Sequence, residues 1–179
     1  IYGKFNLPYR VVLSTRPEKY IGAIELWNKT ENSLKDALKD MGFDYELNEG
    51  DGAFYGPKID ILVRDAIGRE HQCGTIQLDM NLPERFDLNY IGADNQEHRP
   101  VMLHRVIYGS LERFFGILIE HFAGKFPLWL NPKQVIIVPV ADAFKDYALK
   151  LEKELKVNGL RAKADVSEDS MSKKIRIAE

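Results

Sequence analysis

The chain has 179 residues, of which 45% are hydrophobic, 29% charged and 11% aromatic. This composition excludes disordered, collagen-like and low-complexity proteins, and the length suits one full domain with part of a second. Because 25 Lys and Arg stand against 27 Asp and Glu, the net charge of −2 supplies no global positive field, and any contact with RNA has to be local.

Cysteine content and the chain ends give expectations about the cellular location of the protein and the extent of the chain. Cys73 is the single cysteine, so no internal disulfide can form, and this favours a cytoplasmic location. No apolar run approaches the roughly 20 residues that span a bilayer, which predicts no membrane partner. The chain starts without Met or a signal layout, and residues 172–179 open a helix without a cap or a stop. We therefore expect both ends to lie inside a longer protein.

Hydrophobic patterning over the first 130 residues predicts a mostly antiparallel α+β domain. Helical spacing of Trp27, Leu34, Leu38 and Met41 predicts a helix over 21–41 that Gly42 ends. The other expected elements are strands at 9–14, 45–47, 58–64, 69–79, 86–91 and 100–107, and a helix from a Ser110 cap to Gly124 with Leu111, Phe114, Phe115, Leu118 and Phe122 as its apolar stripe. The strands at 58–64 and 69–79 flank a turn, which predicts an antiparallel hairpin.

A proline-marked segment suggests where a second domain begins. Two prolines within 126–132 suit a stiff linker, so we place a boundary near Pro132, with domains at 1–130 and 133–179. After it, a strand at 134–140, a helix capped by Asp142 and a strand at 160–164 predict the start of an α/β domain. Phe144, Tyr147, Ala148, Leu151 and Leu155 form the expected inner face of that helix.

Arg113 is a candidate anion-binding residue in the first turn of the helix after Ser110. A cation there opposes the helix dipole, so an anion is expected to compensate. One interpretation is a phosphate held by the guanidinium and the free helix amides; the other is an ion pair with Glu112, Glu120 or a carboxylate of the sheet.

His104 lies in an apolar strand, where a hydrogen-bonded histidine and a metal ligand are the two interpretations. The other histidines and Cys73 are scattered, so no complete zinc site is visible, and further ligands would have to come from elsewhere.

A glycine-rich segment, residues 50–58, lacks the endings of known phosphate loops but delivers the hydroxyl of Tyr55 and the ammonium of Lys58 where backbone can approach a ligand. The alternative is a plain loop with a packed Phe54.

Three neutral hydrogen-bonding side chains lie on one strand: Gln72, Thr75 and Gln77. They suit either a polar ligand or a solvated face of the sheet. Gln72 shares a face with the other two only if a bulge intervenes, for which Gly74 is the candidate.

One string, HRVIYGSLERF at residues 104–114, resembles the third signature motif of class II aminoacyl-tRNA synthetases. Three further strings resemble the threonyl-tRNA synthetase family in particular: LSTRPEK at 13–19, GAFYGPK at 52–58 and QCGTIQLD at 72–79. The resemblance implies a class II catalytic sheet followed by the start of an anticodon-binding domain, and an enzyme that forms threonyl adenylate from threonine and ATP with magnesium, then charges tRNA(Thr).

The resemblance also implies residue roles. Arg113 would bind ATP and act in catalysis, and Lys58 would couple activation to transfer. Gln72 and Thr75 would lie near the adenylate, Tyr55, Gln77 and Ser110 would line the amino-acid pocket, and His104 would be one zinc ligand of three. The zinc would bind the amino and hydroxyl groups of threonine and so reject valine.

The family's other zinc ligands, its second motif and the first motif that builds a homodimer would lie upstream of Ile1. We therefore expect the isolated chain to be inactive and to bind zinc weakly. Two other readings remain: a synthetase-like binding protein without chemistry, and a generic nucleotide-binding domain, which the absence of a glycine motif after Val140 disfavours.

Overall fold

The structure is a computed structural model that describes residues 1–179, and the chain divides into two units, Ile1–His121 and Phe122–Glu179. The first unit opens with a short 3₁₀ helix, Tyr2–Phe5. Its strands are β1 (Tyr9–Ser14), β2 (Tyr45–Asn48), β3 (Lys58–Arg64), β4 (Glu70–Asp79), β5 (Tyr90–Ile91), β6 (Glu97–His98) and β7 (Met102–Val106). Its helices are α1 (Ile24–Asp40), α2 (Asn81–Arg85) and α3 (Leu111–Phe122), the last of which reaches one residue into the second unit.

Five strands form the main sheet, in the order β2-β1-β3-β4-β7. The pairs β1–β3, β3–β4 and β4–β7 are antiparallel, while β2 runs parallel to β1 because α1 connects them. Strands β5 and β6 form a separate two-stranded sheet. The predicted antiparallel α+β class and the predicted hairpin are both confirmed.

Helix α1 covers one end of the apolar face of this sheet. Leu34 and Leu38 pack in a buried cluster with Leu13 of β1, Ile59 of β3 and Leu78 of β4. The prediction that Met41 belongs to the apolar face of α1 is wrong: it is 73% exposed, because α1 ends at Asp40 and Met41 lies just beyond it.

Helix α3 covers another part of the same face. Its Phe114 packs edge-on to Phe5 at 5.5 Å, and near Tyr2 at 6.4 Å between ring centroids. A Cβ built on Gly74 would lie 2.8 Å from the Tyr2 hydroxyl and 3.1 Å from the Ile61 side chain, so Tyr2 covers the apolar face of β3 and β4. The predicted stripe of α3 is correct for Phe114 and Leu118, whereas Leu111 and Phe115 are exposed. The opposite face of the sheet carries mostly polar side chains on β3 and β4, among them Lys58, Asp60 and Thr75.

The expected strand at 86–91 is present only as Tyr90–Ile91. Before it, the short helix α2 was not predicted. It starts where the carboxylate of Asp79 accepts hydrogen bonds from the backbone N–H groups of Asn81 and Leu82 at 2.9 and 3.0 Å. The chain then turns through Asp87, whose φ of 49° is incompatible with a strand.

The second unit is a small α/β arrangement built from β8 (Val135–Ile137), α4 (Lys145–Val157), β9 (Ala162–Ala164) and α5 (Met171–Ala178). Strands β8 and β9 pair in parallel, with α4 between them along the chain, as the sequence predicted.

Three details of the second unit correct the sequence expectations. Asp142 does not cap α4; it starts a 3₁₀ turn and pairs with Lys145 at 2.9 Å. Phe144 and Tyr147 are exposed rather than inward, and Ala148 is the buried residue of α4. Helix α5 does have a cap, because the Ser170 side chain accepts from the Lys173 backbone N–H at 3.4 Å.

The proline-marked segment before β8 lies in the second unit and is held by it. The guanidinium of Arg161 donates to the carbonyl oxygens of Trp129 and Asn131 at 2.8 to 3.0 Å. The domain limits 1–130 and 133–179 stay a prediction. No helix is long and apolar enough to cross a bilayer.

Candidate active site

A polar strip crosses the face of the sheet opposite α1 and α3. In antiparallel pairs, residues directly opposite each other point to the same face. The register places Lys58 of β3 opposite Gln77 of β4, and Gln77 opposite His104 of β7. One row further along, Asp60 of β3 lies opposite Thr75 of β4. The strands thus bring together side chains that the sequence separates by up to 46 positions.

A β-bulge brings Gln72 to the same face. The register shifts between Ile61 and Leu62, so that Ile61 faces Gly74 while Leu62 faces Gln72, and Cys73 is the extra residue. The bulge that a common face for Gln72, Thr75 and Gln77 requires is therefore present, with Cys73 rather than the expected Gly74 as the extra residue. Without it, Gln72 would point to the apolar side.

Tyr55 and Gln77 form a direct pair, in which the Tyr55 hydroxyl donates to Gln77 Oε1 at 2.5 Å. Burial and the charge of Asp79 raise the pKa of Tyr55, and the charge of Lys58 opposes this only in part, so the phenol keeps its proton. Since the Tyr55 proton is used in the hydrogen bond to Gln77, the Tyr55 oxygen can still accept a hydrogen bond and the Gln77 N–H groups can still donate.

Close backbone approach explains the glycine in this loop. A Cβ on Gly56 would lie 1.7 Å from the carbonyl oxygen of Leu78, so only glycine fits where the loop crosses β4. The loop therefore approaches β4 rather than leaving free backbone for a ligand. Phe54 is 57% exposed, which removes the alternative of a loop with a packed Phe54.

His104 is held by a buried carboxylate. Its Nε2 lies 2.8 Å from Asp79 Oδ2, and the Asp79 side chain is 3% exposed against 41% for His104. Burial raises the pKa of Asp79, but hydrogen bonds from the Leu82 backbone, from His104 and from the Asn81 backbone more than offset this, so the pKa is lowered and Asp79 is a carboxylate. Because a carboxylate only accepts, Nε2 donates to Asp79, and the neutral imidazole then has its lone pair on Nδ1.

The polar groups of Gln72, Thr75 and Lys58 differ in their hydrogen-bond and ion-pair partners. Gln72 Nε2 donates to Asp60 Oδ1 at 2.6 Å, and Lys58 Nζ lies 2.9 Å from Asp60 Oδ2. The Thr75 hydroxyl is buried without a hydrogen-bond partner. A buried hydroxyl without a partner costs about 1–3 kcal/mol, so this atom favours an additional polar group at the site.

The N-terminus of α3 lies against β4. A Cβ on Gly109 would be 3.2 Å from the Gln72 carbonyl oxygen. The Ser110 hydroxyl accepts from the Arg113 backbone N–H at 3.2 Å, which confirms the predicted cap. The Arg113 side chain is exposed and forms no ion pair. Glu120, one of its expected partners, binds Arg69 at 2.9 Å instead, so the ion-pair interpretation of Arg113 is wrong.

Sequence reasoning missed the two buried carboxylates, Asp60 and Asp79, that hold the predicted site residues. Each is buried in the sheet, where an unpaired charge is unfavourable. The signal available in the sequence was the spacing of Lys58 and Asp60, which puts a cation and a carboxylate on one face of one strand. No group of three or more His, Cys, Asp or Glu in the structure forms a metal site.

Comparisons with known proteins match both units. The family model described as tRNA synthetase class II core domain (G, H, P, S and T) matches residues 1–122, and the one described as anticodon binding domain matches residues 134–179. The threonine–tRNA ligase of Desulforapulum autotrophicum is 60% identical over all 179 residues, which are 28% of its own length. That of Aquifex aeolicus is 56% identical over 171 residues, covering 96% of this chain and 27% of the relative.

Solved structures agree with these relatives. The structure described as the RNA binding domain of threonyl-tRNA synthetase from Cryptosporidium parvum Iowa II has a TM-score of 0.89 at 45% identity, and the match covers 99% of this chain and 45% of that one. Putative threonyl-tRNA synthetase ThrRS-1 from Aeropyrum pernix has a TM-score of 0.77 at 31% identity, covering 97% and 42%.

The chain thus spans a little over a quarter of the curated relatives that it matches. The resemblance to threonyl-tRNA synthetases that the four strings carry is confirmed over the whole chain. Since the class II core model covers residues 1–122, well over half of the sequence, this chain belongs to the class II tRNA synthetase core family.

Proposed function

We propose that the chain is part of a threonine–tRNA ligase, which activates threonine with ATP and transfers it to tRNA(Thr). The observation that carries this proposal is the 60% identity to a threonine–tRNA ligase along the entire chain. In the first step the threonine carboxylate attacks the α-phosphorus of ATP, and pyrophosphate leaves. In the second step a ribose hydroxyl of the tRNA attacks the threonyl carbonyl, and AMP leaves.

The amino-acid pocket lies at the row formed by Gln77 and His104. Tyr55 and Gln77 leave an acceptor and a donor side by side, which complement the ammonium and carboxylate ends of an amino acid. The Ser110 oxygen accepts from the backbone of α3, and its hydroxyl proton remains available to a ligand.

ATP binds, with its magnesium, along Gln72, Thr75 and Arg113. Arg113 has no carboxylate partner, and the positive end of α3 adds to its charge, so both favour a phosphate. As charge develops on the α-phosphate oxygens, a guanidinium bound to them stabilises the transition state more than the ground state. The unpartnered hydroxyl of Thr75 gives the nucleotide a buried hydrogen-bonding group.

Lys58 is the second cation of the proposed catalytic set. Burial lowers its pKa, but the ion pair and hydrogen bond with Asp60 and the weaker contact with Asp51 outweigh this, so the pKa is raised and the ammonium is charged. A fixed ammonium beside Gln77 is suited to hold an anionic group while the threonyl group is transferred.

The residues present fit one zinc ligand and no more. An imidazole whose Nε2–H is bound to a carboxylate, as in His104 and Asp79, is the usual arrangement of a zinc-binding histidine. The remaining ligands would come from parts of the protein outside this chain, since no group of three or more His, Cys, Asp or Glu in the structure could hold a metal ion. When bound, zinc would hold the amino and hydroxyl groups of threonine, which discriminates against valine.

The same proposal covers the partners of the complete protein. The match of residues 134–179 to an anticodon-binding model supports a tRNA contact through the second unit. We further propose that the full-length protein is a cytoplasmic homodimer.

Pyrophosphate exchange on the full-length protein tests the function. We expect exchange that depends on threonine and fails with valine, whereas the isolated 179-residue chain shows none. Exchange with another amino acid, or activity of the isolated chain, would show that the proposal is wrong in substrate or in extent.

Zinc content tests the role of His104 separately. The full-length protein should hold one zinc per chain and lose it in His104→Ala. His98→Ala is the matched control, because His98 is also a strand histidine 2.9 Å from a carboxylate, that of Asp94. Full zinc retention in His104→Ala would remove the metal role.

A further inference from the structure

Asp60 is a buried carboxylate in the middle of the sheet. It is 4% exposed and lies on the polar face of β3, between Val12 of β1 and Thr75 of β4. A buried carboxylate is stable only when its oxygens are paired. The contacts of Asp60 go to two residues of the proposed site, Gln72 and Lys58.

Each carboxylate oxygen of Asp60 binds a different partner. Oδ1 accepts from Gln72 Nε2 at 2.6 Å, and Oδ2 binds Lys58 Nζ at 2.9 Å. Lys58 has a second partner, Asp51, at 3.3 Å, but the Asp51 side chain is 57% exposed and belongs to the glycine-rich loop. Asp60 is therefore the rigid anchor of the ammonium, because the sheet fixes it.

The contact with Gln72 determines which end of its amide faces outward. A carboxylate accepts hydrogen bonds and cannot donate, so the NH₂ end of Gln72 has to face Asp60. The amide oxygen of Gln72 is then turned away from Asp60 as an acceptor for a ligand hydroxyl or amine. The bulge places Gln72 on the face of Asp60, and Asp60 then fixes its orientation.

We propose that Asp60 is a positioning residue for the nucleotide side of this site: it orients the Gln72 amide and anchors the Lys58 ammonium without touching substrate. The inference rests on the proposed function. We expect loss of Asp60 to affect nucleotide binding and not amino-acid binding, because Tyr55, Gln77 and His104 are held by contacts that do not involve Asp60.

Asp60→Asn tests this at constant side-chain volume. The new amide has one acceptor in place of two, so it cannot satisfy both Gln72 and Lys58 in their present orientations. In the full-length protein we expect the KM for ATP to rise about tenfold or more, tRNA charging to slow, and the KM for threonine to stay within about twofold. Asp36→Asn on the exposed surface of α1 is the control and should change none of these.

Combining Asp60→Asn with Gln72→Ala decides whether Asp60 acts through Gln72. If it does, the double variant has the same KM for ATP as Gln72→Ala alone, because the amide to be oriented is gone. Independent, multiplying effects on the KM for ATP would overturn the orienting role of Asp60. Its anchoring of Lys58 is tested separately by the rate of tRNA charging, which Asp60→Asn should still lower in the Gln72→Ala background and which would overturn the anchoring role if it stayed unchanged. A merely structural role would lower kcat through loss of folded protein and leave both KM values unchanged, which would also overturn the inference.

Failure of this inference is distinguishable from failure of the proposed function. A wild-type protein without threonine-dependent exchange overturns both; an active wild type with an unchanged ATP KM in Asp60→Asn overturns the role of Asp60 alone. If Asp60→Asn does not fold, Gln72→Ala decides, since Gln72 is exposed and its removal leaves the sheet intact. An unchanged KM for ATP in that variant would refute the inference. A raised KM that recurs in Gln72→Glu, which keeps an acceptor but cannot donate to Asp60, would support it, and a normal KM in Gln72→Glu would refute it.

Discussion

Gly56→Ala should destabilise the first unit by crowding the loop that carries Tyr55 against β4. The new Cβ would lie 1.7 Å from the Leu78 carbonyl oxygen and 2.8 Å from its carbon, so loop and strand have to separate by more than about 1 Å. Overpacking of this kind costs about 1–3 kcal/mol. The separation also breaks the 3.1 Å bond from the Leu78 N–H to the Pro57 carbonyl oxygen, for about 1 kcal/mol more.

Urea unfolding of the chain, followed by tryptophan fluorescence, measures this effect. Trp27 is 2% exposed in the first unit, and a Trp129→Phe background removes the signal of the second unit. Gly56→Ala should lower the free energy of unfolding by about 2–4 kcal/mol.

Gly116→Ala provides the matched control. A Cβ at Gly116 has no atom within 4 Å, and the residue lies inside α3, so the same substitution should stabilise by about 0.5–1 kcal/mol. A Gly56→Ala protein as stable as the wild type would refute the close approach between loop and strand.

Three further predictions concern the core, acid stability and the α3 terminus. Leu38→Ala should cost about 2–5 kcal/mol in urea unfolding and Met41→Ala under about 0.5, because only Leu38 is buried; equal losses would contradict the α1 packing. Burial raises the pKa of Asp65, but bonds from His71 and Arg69 and two backbone amides more than offset this, so the folded pKa lies well below its usual range. The stability that the ionised Asp65 contributes is complete above its unfolded pKa of about 3.9 and is lost as pH falls below it. Asp65→Asn should therefore make the urea midpoint depend less on pH below about pH 4, and an unchanged pH dependence would contradict this. Arg113→Ala should leave the urea midpoint unchanged, since it breaks no ion pair, while abolishing exchange in the full-length protein; retained exchange would remove its catalytic role.

Local patterns predicted most elements of the first unit. The strand at 58–64 was found at its predicted bounds, because a period of two in Ile59, Ile61 and Val63 is a property of consecutive residues. The helix after Ser110 was predicted with its cap for the same reason. The short helix α2 was missed although its signal is local, because Asp79, which binds the backbone amides of Asn81 and Leu82, lies only two residues before the helix begins.

For the candidate site, the sequence alone supplied the residue types and the family. The strings around Tyr55, Gln77 and His104 were enough for the resemblance that the comparisons confirm. Their arrangement was decided only by the tertiary structure, because strand register sets which side chains are neighbours and a one-residue bulge reverses the face of all that follows. The roles of Asp60 and Asp79 depend on burial between strands that are far apart in the chain, so the local sequence pattern does not determine them.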